Sequence, residues 1–301
     1  METMDSTARA MLLCAGFGTR LQPLTFELPK PLVPVGDAPM VTGAMKFLAR
    51  HGFQPLVVNT HHLPEHFSAA FAALGFPVRV VHETEILGTA GGVAGAKPWL
   101  GPAPVIVWNG DILAEPPLEA LSEAAREYGL ALTVAPGRGR GTVGVDAKGF
   151  VTRLRGEVFG AEVRAVDYIG VMALGHGCLE ALPNRGCLIG DLVLPRLRRG
   201  APVPTVTTEK FQDVGSLESY LNANLQWLES SGVGFWVADG ATVSEGVDLA
   251  NSLVGRGAVV KGVGRVERCV VWPGARVEAP LRNAVVLSRG QVVPIDSAAM
   301  P

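Results

Sequence analysis

Two glycines and two basic residues in the first part of the sequence have the residue types that bind phosphate groups. Gly16 and Gly18 follow a short apolar run, and Arg20 stands two residues after Gly18. Glycine lets backbone N–H groups approach an anion closely, and arginine can contact a phosphate through two donors. Lys30 lies between two prolines, which stiffen the loop that carries its charge. These residues predict a binding site for a phosphate-bearing ligand.

The glycine loop differs from two widespread nucleotide-binding motifs. Leu21 stands where the dinucleotide fingerprint has its third glycine, and the sequence has no Gly-Lys pair, which a Walker A motif requires. Two aspartates are further candidates: Asp111 follows Asn-Gly, and Asp213 precedes Val-Gly. Their carboxylates are suitable ligands for a divalent cation, although an isolated aspartate is more often a turn or cap residue.

The elements around these residues follow the pattern of an α/β domain. Apolar runs at 11–15, 55–59, 78–82, 105–108 and 131–135 predict buried strands, and helix-length patterns occur at 41–51, 64–74, 89–100 and 118–128. This alternation predicts a doubly wound, mostly parallel sheet of the Rossmann-like kind. Further along, the sequence predicts a hairpin over 142–154, a strand over 168–174 and helices over 188–199 and 217–229. Because such sheets bind ligands at the carboxyl ends of their strands, the loops after residues 14, 82 and 108 are expected to carry the site.

The last part of the sequence is an internal repeat. The pattern V-x-x-G-A-x-V begins at Val237, Val254 and Val271, and a weaker copy begins at Leu287. Aliphatic residues recur at six-residue steps, which is typical of hexapeptide repeats whose coils stack around one apolar column. The pattern predicts a first domain over 1–235 and a short left-handed parallel β-helix over 236–301, with an ordinary antiparallel sheet as the alternative. Because a short stack leaves apolar ends, we expect a packing or regulatory role for it and a homo-oligomer.

Composition excludes other classes of protein. The chain is 48% hydrophobic and 18% charged, and its net charge of −2 provides no general field for nucleic acid or an anionic membrane. No apolar run approaches the roughly 20 residues that cross a bilayer. The cysteines are scattered without a C-x-x-C pair, which predicts reduced thiols and a cytoplasmic location.

The run over 16–35, in which G-x-G-T-R-L-x-P-L-T precedes P-K-P-L-V-P-V, resembles the signature of sugar-1-phosphate nucleotidyltransferases. The resemblance continues through E-I-L-G-T-A-G-G at 85–92, N-G-D at 109–111 and F-Q-D-V-G-S at 211–216, in the family's order. It implies an enzyme that transfers a nucleoside monophosphate from a nucleoside triphosphate to a sugar 1-phosphate and releases pyrophosphate. Both substrates are polyanions, so catalysis would depend on position and charge.

The resemblance also implies roles for individual residues. The implied nucleotide-binding residues are Ala15, Gly16, Gly18, Thr19, Arg20, Glu85, Gly88, Thr89 and Ala90, and the implied sugar-phosphate residues are Asn109, Gly110 and Gly170. Asp111 and Asp213 would hold Mg²⁺. Arg20 and Lys30 would be catalytic, with Arg20 on the β- and γ-phosphates and Lys30 near the α-phosphate.

Substrate choice is indicated only by short segments. The L-G-T-A-G segment at 87–91 is most similar to mannose-1-phosphate guanylyltransferases, so GTP and mannose 1-phosphate are the expected substrates. Open alternatives are UTP, CTP or dTTP with another hexose, heptose or amino-sugar 1-phosphate. A non-catalytic regulatory paralogue and a glycosyltransferase that uses a nucleotide sugar are further alternatives.

One position departs from the family pattern. Many relatives carry Glu-Lys-Pro after the hairpin, and its lysine contacts the sugar phosphate. Residues 154–159 of this chain read Leu-Arg-Gly-Glu-Val-Phe, without a lysine. Arg153 and Arg155 are the candidates for its replacement.

Overall fold

The computed structural model describes residues 9–101, 104–137 and 139–295, which form two compact units. The first contains the described residues up to Gly16 together with Val41–Asp213. The second contains Phe17–Met40 and the described residues from Val214 onward. The expected domain boundary at residues 235 and 236 stays a prediction.

The strands are β1 Ala10–Leu13, β2 Pro34–Val35, β3 Ala38–Pro39, β4 Leu56–Thr60, β5 Val78–His82, β6 Val105–Asn109, β7 Ile112–Ala114, β8 Leu130–Pro136, β9 Val143–Val145, β10 Val151–Leu154, β11 Glu157–Val158, β12 Arg164–Leu174, β13 Thr205–Thr207, β14 Phe211–Asp213, β15 Phe235–Val237, β16 Thr242–Val243, β17 Val247–Ala250, β18 Ser252–Val254, β19 Val259–Val271, β20 Arg276–Val286 and β21 Val292–Pro294. The α-helices are α1 Thr42–Arg50, α2 Glu65–Leu74, α3 Gly88–Ala96, α4 Leu118–Tyr128, α5 His176–Glu180, α6 Leu194–Arg198 and α7 Leu217–Ser230. Within the described ranges, none of these helices has the length and apolarity needed to cross a membrane.

The first unit is an α/β domain built on a mixed sheet. Its strand order is β11-β10-β9-β12-β6-β1-β4-β5, and β8 joins it beside β12. Strands β6, β1, β4 and β5 are parallel, as the alternating sequence pattern predicts, whereas β12 runs antiparallel to β6 and to β8. The strand predicted over 131–135 therefore does not pair with β6. Strand β12, which follows β11 in the chain, lies between them.

Apolar side chains decide which strands form the centre of this sheet. Met11 on β1, Val57 on β4 and Met172 on β12 are fully buried, and they belong to one buried cluster with residues of α3 and of the segment that ends with α6. Strands that are apolar on both faces must be covered on both faces by helices. The core therefore holds the carboxyl ends of β1, β4 and β6 in fixed positions.

Two helices differ from the sequence expectation at identifiable residues. The pattern over 89–100 ends as α3 at Ala96 and continues as a 3₁₀ turn, Lys97–Trp99, because Pro98 has no N–H to continue the α-helix. The helix expected over 188–199 begins as a π-helical turn, Leu188–Val193, before α6. The N–H of Cys187, at the start of this turn, donates to Oδ2 of Asp191 at 2.7 Å.

The second unit contains α7 and the repeat region. Repeat strands pair in parallel, mostly at an offset of 17 residues, as in Phe235 with Ser252 and Leu253 with Val270. The offset between β19 and β20 falls to 15 after a register shift, as in Val266 with Leu281. Small aliphatic side chains on these strands form a buried cluster of their own. The weaker fourth copy is different, because β21 folds back antiparallel onto β20. The stacked strands are compatible with the expected β-helix, which stays a prediction in its handedness and its hexapeptide form.

Candidate active site

The residues that follow β1 in the first unit have a main chain that a ligand can approach. The N–H of Cys14 donates to Oδ1 of Asn59 at 2.9 Å, which fixes the direction of the following residues. Ala15 is buried, whereas Gly16 is exposed, and a Cβ added at Gly16 would meet no atom within 4 Å. The open glycine leaves room for a close approach of a ligand to the main chain.

A buried carboxylate holds the next loop in place. Nδ2 of Asn59 donates to Oε1 of Glu83 at 2.6 Å, and the N–H of Leu87 donates to Oε2 at 3.1 Å. Glu83 is only 5% exposed, so both of its hydrogen bonds replace water that the carboxylate has lost. Gly92 packs against this pair, since a Cβ there would lie 2.6 Å from Nδ2 of Asn59.

Neither Asn59 nor Glu83 is among the site residues predicted from the sequence. A signal was present, because the predicted strand over 55–59 ends in a polar residue and Glu83 directly follows the predicted strand over 78–82. Polar side chains at the carboxyl ends of adjacent parallel strands meet at the same edge of a sheet. These two residues form the support beneath the predicted nucleotide loop.

The loop that carries four predicted nucleotide-binding residues is closed by main-chain bonds to a distant segment. The N–H of Ala90 donates to the Gly186 carbonyl, and the N–H of Gly186 donates to the Leu87 carbonyl, each at 2.9 Å. Gly88 has a φ of 75°, and a Cβ there would overlap the Gly186 carbonyl. Glycine is therefore required at position 88.

The side chains of this loop have partners of their own. The carboxylate of Glu85 pairs with Nη2 of Arg185 at 2.6 Å, and this hydrogen bond lowers the pKa of Glu85 below its usual value. Oγ1 of Thr89 accepts from the N–H of Leu188 at 2.9 Å. The assignment of Glu85 and Thr89 to nucleotide binding stays a prediction.

The predicted sugar-phosphate residues lie close together. Asn109 is the last residue of β6, and Gly170 has a φ of 79° on the neighbouring strand β12. A Cβ at Gly170 would lie 2.5 Å from Nδ2 of Asn109, so glycine makes room for this amide. The N–H of Gly110 donates to the Leu13 carbonyl at 2.9 Å and ties the loop after β6 to β1.

A short antiparallel ladder links the two segments that carry the candidate metal ligands. Strand β14 pairs with β7, and Asp213 lies opposite Ile112, the neighbour of Asp111 in the chain. Asp111 is half-buried and Asp213 is exposed. Burial raises the pKa of the Cys14 thiol, and the negative charge of Asp111 raises it further. Within the described part of the chain, no group of three His, Cys, Asp or Glu side chains is suited to a metal.

A cleft of about 600 Å³ lies in the first unit, next to Thr89 of the predicted nucleotide loop and Asn109 at the end of β6. Thr89 and Asn109 line it together with residues that the family signature does not include. The latter are Gly141, Thr142, Arg153, Leu154, Arg155, Gly156, Tyr168, Cys187, Leu188 and Ile189. The segment over 187–189 was missed because no local pattern marks it, and it is brought to the cleft by the bonds of Gly186.

The remaining predicted residues belong to the second unit. Gly18 adopts a φ of 63°, and a Cβ there would lie 2.8 Å from Cβ of Lys30. Oγ1 of Thr25 donates to the Gly18 carbonyl at 3.1 Å, which fixes this loop. Lys30 is 8% exposed, whereas Thr19 and Arg20 are exposed. The structure thus holds a buried lysine against the glycine loop within this unit.

Comparison with known proteins identifies the family. Residues 9–149 match the profile of the Nucleotidyl transferase family. A probable mannose-1-phosphate guanylyltransferase 1 of Oryza sativa subsp. japonica is 30% identical over 302 residues, which cover 90% of this chain and 82% of that protein. The chain belongs to the sugar-1-phosphate nucleotidyltransferase family. This nucleotidyltransferase is also 28% identical to a mannose-1-phosphate guanylyltransferase of Mycobacterium tuberculosis, over 90% of its own length and 81% of that protein.

A solved structure supports the fold of the nucleotidyltransferase. The crystal structure of HddC from Yersinia pseudotuberculosis, complexed with GMP-PN, aligns with a TM-score of 0.62 and 22% identity. The alignment covers 73% of this chain and 99% of that chain. At this identity the likeness concerns the fold.

Proposed function

We propose that this nucleotidyltransferase transfers GMP from GTP to mannose 1-phosphate and releases pyrophosphate. The observation that carries the proposal is the similarity to guanylyltransferases along 90% of the chain, at 30% identity to the rice protein. The cleft lined by Asn109 offers room for a sugar phosphate, and Thr89 of the predicted nucleotide loop lines the same cleft.

The proposed reaction needs no nucleophilic side chain. A phosphate oxygen of mannose 1-phosphate attacks the α-phosphorus of GTP and forms a new P–O bond. The bond from the α-phosphorus to the oxygen that bridges to the β-phosphorus breaks, and its electron pair leaves with pyrophosphate. Charged groups held in fixed positions lower the barrier to this step. We assign Arg20 to the β- and γ-phosphates and Lys30 to the charge near the α-phosphate.

Asp111 and Asp213 fit a divalent cation. Carboxylate oxygens are the protein ligands that Mg²⁺ prefers, and Mg²⁺ usually takes one or two of them with water and substrate phosphates as the remaining ligands. Asp213 ends β14 and Asp111 directly precedes the paired strand β7, so two carboxylates are available on linked segments, which supports this proposal. Bound there, Mg²⁺ would neutralise part of the triphosphate charge.

We also propose that the repeat region is a short left-handed β-helix and that the chain forms a homo-oligomer. The 17-residue offset of the parallel strands supports the first proposal. Exposed apolar side chains on the first coil, at Phe235 and Val237, support the second. The unpaired cysteines agree with a cytoplasmic location.

A pyrophosphate-release assay tests the proposed activity. The protein is incubated with each of GTP, ATP, UTP, CTP and dTTP, each paired with the 1-phosphates of mannose, glucose, a heptose and an amino sugar. We expect the highest kcat/KM for GTP with mannose 1-phosphate, loss of activity with EDTA and recovery with Mg²⁺. A tenfold preference for UTP or CTP would overturn the base assignment. Absence of release from every pair would favour a non-catalytic paralogue.

A further inference from the structure

We propose that Arg155 binds the phosphate of the sugar 1-phosphate in the cleft of the first unit, in place of the lysine that this chain lacks. This inference rests on the proposed function, because it assigns the second substrate to the cleft. Two observations support it: Arg153 and Arg155 differ in their hydrogen-bond partners, and Arg155 has an unusual backbone conformation.

Arg153 is already held by other groups. Its Nε and Nη2 donate to the two carboxylate oxygens of Glu162 at 2.7 and 3.1 Å. The same guanidinium donates to the carbonyls of Arg140, at 2.9 Å, and Gly141, at 3.4 Å. A bidentate pair with further carbonyl contacts uses most of the five donors of an arginine. Arg153 therefore ties the hairpin to neighbouring segments.

Arg155 makes far fewer contacts. In the part of the chain that the structure describes, its guanidinium hydrogen-bonds to Sγ of Cys187 alone, at 3.2 Å from Nη2. This bond takes one of the five donors. The residue is exposed and lines the cleft together with Asn109 and Thr89. Gly190 lies next to it, since a Cβ added there would lie 3.2 Å from Nη1.

The backbone at Arg155 is unfavourable for an arginine. Arg155 and Gly156 form the two-residue turn between β10 and β11, and their φ values are 50° and 84°. A turn with positive φ at both positions strongly prefers Asn-Gly. A side chain kept in such a conformation at a cleft is a reason to look for a function. Asparagine at position 155 would suit the turn better and would lack the charge.

Cys187 provides a probe of this site. Burial raises the pKa of its thiol, but hydrogen bonds from the backbone of Gly190 and Ile189 and from Arg155 outweigh burial and lower it. A thiol with a lowered pKa has more reactive thiolate near neutral pH. Cys14, Cys178 and Cys269 are buried, and burial raises the pKa of each. Iodoacetamide should therefore react first at Cys187.

The test measures alkylation of Cys187 with and without ligand, by mass spectrometry of the intact chain and its peptides. The ratio of the two rates, taken as a function of ligand concentration, gives a Kd in each variant without turnover. We expect mannose 1-phosphate to protect Cys187 in the unmodified protein. Arg155→Asn should raise this Kd by about tenfold or more, the scale of one lost charge-assisted contact. Arg155→Lys should give an intermediate value, because lysine keeps the charge and loses the planar fork.

Three controls make the result specific. Arg155→Asn should unfold at the same temperature as the unmodified protein or higher, and Arg155→Gly replaces it if it fails to fold. Nε of Arg198 donates to the carboxylate of Glu157, on the same hairpin as Arg155, at 2.8 Å. Neither residue lines the cleft. Arg198→Gln therefore removes a nearby positive charge and should leave the Kd unchanged. Cys187→Ser confirms the site of alkylation.

The outcomes separate this inference from the proposed function. Equal protection in Arg155→Asn and the unmodified protein would overturn the role of Arg155 and leave the proposed function intact. Protection by GTP but by no sugar 1-phosphate would show that the cleft binds the nucleotide and would overturn the inference. Protection by another hexose 1-phosphate, lost in Arg155→Asn, would support Arg155 and overturn mannose as the sugar.

Discussion

The side-chain amide of Asn59 donates to the buried carboxylate of Glu83 at 2.6 Å, and its oxygen accepts from the N–H of Cys14 at 2.9 Å. Because Glu83 also accepts from the N–H of Leu87, one pair of side chains joins the segment after β1 to the predicted nucleotide loop. Buried polar networks of this kind fix one arrangement of the loops that they join. Neither residue needs to contact a ligand in order to position the residues that do.

The first prediction concerns Glu83→Gln. Both partners of the carboxylate are donors, so a glutamine can accept from only one of them and turns its own N–H₂ towards the other. An unsatisfied buried donor costs about 1–3 kcal/mol. We expect the free energy of unfolding to fall by that amount and the KM for GTP to rise by roughly tenfold, as measured by denaturation and steady-state kinetics.

Exposed Glu119 on α4 provides the control, and Glu119→Gln should change neither quantity. A Glu83→Gln protein that is less stable but has an unchanged KM for GTP would restrict the role of Glu83 to folding. A proportional rise in the KM for both substrates would also argue against a specific effect on the nucleotide loop.

Much of the central sheet follows from the sequence, whereas the partners of its later strands do not. The apolar runs that become β1, β4, β5 and β6 are continuous, which is typical of strands covered on both faces. The strand predicted over 168–174 is present as β12, but its place between β6 and β8 is a tertiary choice that an apolar run does not encode. The antiparallel pairing of β21 with β20 was not predictable either, because Leu287-Ser-Arg-Gly290 locally resembles the other repeat copies.

The site shows the same division. Asn109 and Gly110 lie at the carboxyl end of β6, Gly170 lies beside Asn109 within β12, and Asp213 lies opposite the neighbour of Asp111. Their roles in binding stay predictions. Cys187 could not be found in this way. Its position depends on bonds of Gly186 to a loop about 100 residues earlier in the chain, and no sequence period marks such a contact.

The second prediction concerns the paired carboxylates. Asp111→Asn keeps the size of the side chain and removes the charge proposed to hold Mg²⁺. We expect kcat to fall by at least about a hundredfold, the scale of one lost electrostatic contact at a reacting phosphate. Asp248→Asn is the control. Asp248 is exposed in the repeat region, and its ion pair with Nε of Arg265 is long, at 3.8 Å. An Asp111→Asn protein with near-normal turnover would remove the metal assignment.

The third prediction separates backbone strain from steric overlap at Gly170. Gly170→Ala places a Cβ 2.5 Å from Nδ2 of Asn109 at a φ of 79°, so the amide must move. Gly52→Ala has a similar φ of 75° with no atom within 4 Å of the added Cβ. Both variants should lose roughly 1–2 kcal/mol of stability from the left-handed backbone. Only Gly170→Ala should also raise the KM for mannose 1-phosphate, as measured at saturating GTP.

An equal rise in that KM for Gly52→Ala would show that the effect comes from reduced stability. An unchanged KM in a folded Gly170→Ala protein would remove Asn109 from the sugar-phosphate site.

The last prediction concerns the bond between the repeat region and α7 in the second unit. Nε1 of Trp272 donates to the hydroxyl of Tyr220 at 2.9 Å, and this hydroxyl donates to the Pro34 carbonyl at 2.6 Å. Both rings are fully buried. A chain that stops after Phe235 loses Trp272 and exposes Tyr220 to water. We therefore expect it to unfold at a lower temperature or to change its oligomeric state, as measured by calorimetry and sedimentation.

Trp272→Phe tests the same bond without removing the repeats. It deletes one donor and part of a buried ring, and we expect a loss of about 2–4 kcal/mol, from the missing hydrogen bond and the cavity together. Since the Tyr220 hydroxyl keeps its bond to Pro34, the loop that carries Pro34 should stay in place and kcat should change little. Equal stability and assembly of the truncated and full chains would contradict a packing role for the repeats. A well-folded but inactive truncation would mean instead that the repeats act directly on the reaction.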